Sequence, residues 1–304
     1  MSAALEATSD MSCCANCGKA EGDDIKLKKC ACKLVKYCSA GCQKNHRSQH
    51  KKACKKRMAE MRNDRLFRQP EENDVGECPI CCLPLPIDKG KFSINSCCSK
   101  YICNGCNHAN KRREIEQGQY PKCPYCREPL PKTQEENDQN CMKRVKTNDP
   151  LAIRELGKRC RDTGDYNKAF EHFTQAADLG DIEAHFEVSL LYRNGKGVEK
   201  DMKKAVYHLE EAAIGGHPEA RYNLGCYEGR NSRFDRATKH FIIAAKLGHD
   251  GALDKLKQHF LMGFVSKEDY EAALRGHQAA VDETKSEQRD AAEDFAAKKI
   301  QSAT

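Results

Sequence analysis

The chain has 304 residues, with 20 cysteines, no tryptophan, and 52 basic against 45 acidic side chains for a formal charge of +7; that length suits one to three domains. No run is long and apolar enough to cross a membrane, and the opening MSAALEATSD has no signal-peptide core, so neither membrane contact nor export is expected. Dense thiols in a reducing location, cytoplasm or nucleus, read as zinc ligands, which argues against a disulfide scaffold.

Seventeen cysteines lie between Cys13 and Cys126, so a cysteine-rich front precedes an ordinary back. Residues 1–12 are expected to be disordered. From there Cys14 and Cys17 are separated by two residues, Cys30 and Cys32 by one, and Cys38 and Cys42 by three, before His50 and Cys54. These eight ligands suffice for two tetrahedral zinc ions. His50 and Cys54 stand four apart, so one helical face presents both. Cys13 is a spare. The string YCSAGCQ, followed by H, H and C, resembles the MYND zinc finger over residues 13–54. That resemblance implies one zinc on Cys14, Cys17, Cys38 and Cys42 and a second on Cys30, Cys32, His50 and Cys54, with His46 not a ligand. It also implies a peptide or protein partner. Two positions depart from the family pattern: one residue rather than two separates Cys30 from Cys32, and Arg47 stands where a tryptophan helps to grip proline-containing peptides.

Residues 55–76 read as a basic helix and linker. Between residues 26 and 68 there are 15 basic and 2 acidic side chains. They form either a solvated face that offsets thiolate charge or a surface for an acidic protein or a nucleic acid. No aromatic platform is interleaved with the lysines, which counts against single-stranded nucleic acid.

A second ladder runs through Cys78, Cys81, the adjacent Cys97 and Cys98, Cys103, Cys106, Cys123 and Cys126. CPIC and CPYCR resemble the outer motifs of a RING finger over residues 77–131. The resemblance implies one zinc on Cys78, Cys81, Cys103 and Cys106 and another on Cys123 and Cys126. Lys100 replaces the usual histidine ligand and has no lone pair to offer, so the second site needs Cys97 and Cys98 together, or His108. Cys82 is a spare. Four zinc ions, two per finger, are thus expected. Three four-cysteine sites and one three-cysteine, one-histidine site would carry a combined −7, cancelling the formal excess of base.

After a charged linker at 132–148 the period changes. DPLAIRELG, DIEAHFEVS, HPEARYNLG and HDGALDKLK align on Ala152, Ala184, Ala220 and Ala252, spaced 32, 36 and 32 residues, and Ala169, Ala205 and Ala237 mark a second helix per repeat. Asp149, Asp165, Asp181 and Asp201 stand at N-cap positions, Pro150 and Pro218 at first helical positions, and Gly180, Gly216 and Gly248 just past helix ends. Residues 149–262 resemble Sel-like repeats, relatives of tetratricopeptide repeats, and 263–304 read as C-terminal helices, the first capped by Ser266. The expected fold is multidomain: two small cross-braced zinc fingers with little regular structure, then an all-α solenoid of helix-turn-helix repeats.

There is no phosphate loop, nucleophile elbow or open metal motif. Two functions follow from the resemblances. In one, the RING finger is a ubiquitin-protein transferase that docks a ubiquitin-conjugating enzyme on Ile80 and Pro124, with Arg127 clamping ubiquitin, while the MYND finger and repeats recruit proteins. Asn110 then stands where many such fingers carry a bulky aromatic. In the other, the chain is a non-enzymatic adaptor, scaffold or regulatory cofactor.

Overall fold

The structure, a computed structural model, describes residues 12–301. The disorder expected for 1–12 therefore falls, except for Ser12, outside the described residues. The chain divides between Arg68 and Gln69 into two compact units.

In the first unit, strands β1 (Lys28–Lys29) and β2 (Lys36–Tyr37) pair antiparallel, with Lys28 opposite Tyr37. Lys33, at φ 59°, turns the chain between them. Ser39 then caps helix α1 (Ala40–Leu66) by accepting from the Cys42 N–H at 3.1 Å. Only His50 and Leu66 of its 27 residues are buried. The unit's buried core is Leu27, Tyr37 and the thiols of Cys14, Cys30 and Cys32. A core that small does not hold a fold without a staple such as a metal.

The second unit opens with a hairpin of β3 (Phe92–Asn95) and β4 (Lys100–Cys103), Phe92 opposite Cys103, followed by α2 (Asn104–Glu116). Leu85, Phe92 and Ile102 pack with the surrounding cysteines. The segment read as a charged linker contains helix α3 (Gln134–Lys146). Thr133 caps it, Glu135 and Glu136 lie in its first turn, and Lys143, Arg144 and Lys146 lie in its last, as the helix dipole favours. Its one buried residue, Cys141, reaches the Ala152 carbonyl.

Six helices make three hairpins: α4 (Pro150–Asp162) with α5 (Tyr166–Asp178), α6 (Ile182–Asn194) with α7 (Met202–Ile214), and α8 (Pro218–Arg230) with α9 (Phe234–Lys246). Helices α10 (Asp250–Leu261), α11 (Lys267–Asp282) and α12 (Glu287–Gln301) follow. The four aspartates and Ser266 cap their helices as expected. Gly180, Gly216 and Gly248 share φ of 91–94°, left-handed geometry that a side chain rarely adopts. Ala176, Ala177, Ala212, Ala213, Ala244 and Ala245 are all buried between helices.

The later repeats cap with histidine. His217 Nδ1 accepts from the Ala220 N–H, leaving Nε2 to face Glu183 of the preceding repeat at 3.2 Å. His249 repeats the arrangement with Ala252 and, at 2.9 Å, Glu219. Each ring both caps a helix and ties one repeat to the one before it.

The second cysteine ladder belongs to the same unit as the repeats. Lys89 meets Glu183 at 2.5 Å. Buried Arg154 binds Asp181 at 3.1 Å and also donates to the Tyr101 hydroxyl. At the other end of the chain α12 lies along α2: His108 faces Phe295, and Lys91 pairs with Glu293.

Candidate metal centres

Three loops position cysteine pairs with one backbone pattern. The Cys14, Cys78 and Cys123 N–H groups donate to the carbonyls of Lys19, Leu83 and Glu128, while Gly18, Cys82 and Arg127 donate back to the carbonyls of Cys14, Cys78 and Cys123. The residue four after each first cysteine is left-handed, with φ of 73°, 54° and 66°. This explains Cys82: it occupies the turn position that Gly18 fills in the first finger, with its side chain exposed and outside the metal-binding groups.

Four quartets result. The structure brings together Cys14, Cys17, Cys38 and Cys42; Cys30, Cys32, His50 and Cys54; Cys78, Cys81, Cys103 and Cys106; and Cys97, Cys98, Cys123 and Cys126, with the ligand atoms of each quartet within 4.8 Å of one another. Sulfurs at about 2.3 Å from a tetrahedral zinc lie about 3.8 Å apart, far beyond the S–S bond of a disulfide. The separations here are 3.6 Å for Cys17–Cys38 and for Cys38–Cys42, 3.7 Å for Cys30–Cys54, 3.9 Å for Cys81–Cys103, 3.8 Å for Cys98–Cys123 and 3.3 Å for Cys97–Cys126. His50 Nε2 points at Cys32 Sγ from 3.1 Å. The donor sets and their spacing fit zinc.

The surroundings fit too. The Cys106 N–H and Asn95 Nδ2 approach Cys103 and Cys123 Sγ at 3.4 and 3.3 Å, and Arg289 approaches Cys81 Sγ at 3.6 Å, as outer-shell donors to thiolates do. Without metal the crowded thiols share protons unevenly. Hydrogen bonds, first from the Cys38 backbone, lower Cys14 to about 6, while the thiols of Cys17 and Cys42 push Cys38 up to about 12. A bond from Cys103 lowers Cys78 to about 4. Burial raises Cys106 and Cys98 to about 12 and Cys54 to about 11. Burial lowers His50, which keeps its lone pair free for a metal. Zinc would hold every thiol as thiolate and release the shared protons.

The non-ligands find other work. His46 accepts or donates with the Tyr37 hydroxyl at 3.0 Å and stacks on His50. Cys13 sits in a β-bridge with Ala20 and joins no quartet. His108 packs on Phe295, while Cys97 and Cys98 complete the quartet with Cys123 and Cys126.

Ile80 is 40% exposed and Pro124 half-buried. Asn110, read from sequence as a partner-facing position, turns inward instead and is 9% exposed. Its Nδ2 donates to the Lys122 carbonyl at 3.0 Å, and Glu114 accepts from the Lys122 N–H at 2.6 Å. The two side chains satisfy the Lys122 backbone N–H and carbonyl, which an aromatic would leave bare. Arg127, the proposed clamp, donates to Asn110 Oδ1 at 3.3 Å and lies 3.7 Å from Glu114. A sequence position does not reveal that orientation.

Sequence reasoning missed one further cluster, Asp74, Glu183 and His217. Lys89 already supplies its positive charge, and the His217 Nδ1 is engaged as a cap. Burial works against ionising Glu183, but His217 and Lys89 outweigh it and hold the carboxyl far below its ordinary range. Burial raises Asp74. The cluster is an ion network joining finger to repeats, assembled from residues 143 apart in sequence between Asp74 and His217.

Residues 14–54 match the MYND finger family, and residues 150–181, 182–217 and 218–249 match the Sel1 repeat. The chain therefore carries a MYND finger at residues 14–54 and three Sel1 repeats at 150–249, with a second cysteine-rich segment between them. Chitin synthase regulatory factor 4 of Schizosaccharomyces pombe is 31% identical over 86 residues, 28% of this chain and 14% of that protein. DAP3-binding cell death enhancer 1 of Rattus norvegicus is 41% identical over 56 residues, 18% of this chain and 11% of that protein. The chain thus spans only a small part of these relatives. A Sel1 repeat protein from Oxalobacter formigenes aligns with TM-score 0.43 and 27% identity over 50% of this chain and 66% of that one.

Proposed function

We propose that the protein is a zinc-dependent protein-interaction adaptor, held by four structural zinc ions and acting in the cytoplasm or nucleus. One observation carries this reading: every quartet supplies four protein donors. Such sites are closed, with no position for a water or substrate. The metals then shape surfaces rather than perform chemistry, and the repeats extend those surfaces. The names of the two partial relatives, a binding protein and a regulatory factor, are consistent with that role.

A second reading is favoured by the exposure of Ile80 beside Cys81: the second finger would be a RING-type ubiquitin ligase that docks a conjugating enzyme on Ile80 and Pro124. The tie of Arg127 to Asn110 and Glu114 weighs against it, because a clamp on ubiquitin needs that guanidinium free. One experiment separates the two. Zinc-loaded full-length protein is assayed for ubiquitin transfer across a panel of conjugating enzymes and for binding on a peptide array. The adaptor reading expects no transfer, and peptide binding that Cys32→Ser abolishes. Transfer that disappears with Ile80→Ala would replace it with the ligase.

A further inference from the structure

We propose that the groove between β2 and the first half of α1 binds an extended acidic peptide segment of a partner protein, with Arg47 and Lys51 as its central contacts. This rests on the adaptor reading and names the chemistry of the partner.

The groove has a volume of about 480 Å³. Besides its cations it is lined by Ala40, Gln43, the nearly buried Tyr37, and Cys30, His50 and Cys54 of the second quartet. Its wall is a row of cations, Lys44, Arg47, Lys51 and Lys55, and no carboxylate lines it. All four are exposed, and none forms an ion pair among the described residues. From Ala40 to Arg57 the helix has seven basic side chains and no acidic one. Glu60 is engaged by Arg57, outside the groove. Basic residues on a solvated helix usually alternate with acids at i±4 spacing, which relieves their repulsion. Here the repulsion is left standing along one face, which a bound polyanion would relieve.

Spacing selects the shape of that polyanion. The four cations are three, four and four residues apart, so they follow one face of the helix for about 17 Å, with neighbours about 5–6 Å apart along the axis. In an extended peptide, side chains on one face recur about every 6.6–6.8 Å. Three acids at alternate positions of a five-residue segment span about 13 Å and so fit within the row of four cations, which is about 17 Å long. Nucleic acid has similar charge spacing but would need planar faces on which bases stack. The groove's single aromatic, Tyr37, is 3% exposed and its hydroxyl is bound to His46, so it offers no stacking face. Arg47 occupies the middle of the row. A guanidinium can bind a carboxylate bidentately and makes the groove anion-selective.

The test uses full-length zinc-loaded protein and four fluorescent probes: a peptide alternating Glu with Ala, the same peptide with Gln for Glu, a neutral proline-rich peptide, and a single-stranded oligonucleotide. The Glu peptide is expected to bind at least tenfold more tightly than its Gln form, and to weaken steeply with added salt. Arg47→Glu and Lys51→Glu should each remove that preference while retaining full zinc content and helical signal. The Arg47→Glu, Lys51→Glu double variant should instead prefer a Lys-Ala peptide, which guards against simple misfolding. Equal binding of the Glu, Gln and proline-rich peptides would overturn the charge-selective groove yet leave the adaptor reading intact. Tighter binding of the oligonucleotide, lost with Arg47→Glu, would overturn the proposal in favour of a nucleic-acid surface. Failure of every peptide on the array, with zinc fully present, would remove the adaptor reading itself.

Discussion

Arg289 is 5% exposed and reaches from the start of α12 to the quartet of Cys78, Cys81, Cys103 and Cys106. Its guanidinium donates to the carbonyls of Pro84 at 2.7 Å, Leu83 at 3.2 Å and Thr284 at 2.6 Å, and lies 3.6 Å from Cys81 Sγ. A zinc ion on four thiolates would leave that quartet with a net −2, which this buried cation would offset. Arg289→Ala leaves at least two finger carbonyls without their donor. At about 1–3 kcal/mol for each buried group left unsatisfied, the finger–helix contact weakens by about 2–4 kcal/mol, with water entry recovering part of it. If about 1–2 kcal/mol of this falls on opening of the quartet, zinc should leave that site roughly five- to thirtyfold faster. The assay is release to a chromogenic chelator, followed in time and by total amplitude. One of four zinc equivalents should accelerate while three keep the wild-type rate. Arg289→Lys should fall between, because it retains the charge and loses the fork. Unchanged release in Arg289→Ala, with α12 still protected from hydrogen exchange, would refute the outer-shell role. Uniform acceleration of all four ions would refute its locality.

Purified protein should carry four zinc ions by elemental analysis; Cys97→Ser and Cys98→Ser should each lose one, and Cys82→Ser and His108→Ala none. Glu183→Gln removes the carboxylate that faces buried His217 and half-exposed Lys89, and because water still solvates that ammonium it should destabilise by about 1–3 kcal/mol. Because the folded state depresses the Glu183 carboxyl, its contribution is complete above the unfolded value near pH 4.3 and disappears as pH falls below it. The gap in thermal midpoint between wild type and Glu183→Gln should therefore be flat from pH 8 to about 5 and narrow in stronger acid; a gap that narrows between pH 7 and 6 would implicate a histidine instead. Gly197 has φ 69°, and a Cβ there would lie 2.1 Å from the Tyr166 carbonyl oxygen, so Gly197→Ala should cost about 3 kcal/mol or more and lower the midpoint by roughly 6–12 °C. Gly164→Ala, equally left-handed but facing open space, should cost only about 1–2 kcal/mol; equal losses at the two glycines would show that strain alone, not the Tyr166 contact, sets the cost.

Local chemistry made much of the molecule legible from sequence. Ligand spacing along the chain marked the cysteine pairs, because a turn of two to four residues is all that brings two thiolates to one ion; which pairs share an ion was implied only by the resemblance to cross-braced fingers. Aspartate caps, alanine pairs and left-handed glycines marked the repeats, because capping and close packing act within a few residues. Helix α3 was hidden although its signals are local: it has a cap and complementary end charges but no apolar stripe, and its register is set by the burial of Cys141 alone. The rest is long-range. Whether Asn110 faces a partner or the Lys122 carbonyl depends on how α2 meets the Cys123–Glu128 loop. The Asp74–Glu183–His217 network, the Arg154 bond to Tyr101 and the insertion of Arg289 beside Cys81 join segments between 53 and 208 residues apart. No periodicity encodes such pairs, because their energy arises only when burial removes the water that would otherwise satisfy each charge, and which charges are buried together is decided by tertiary packing.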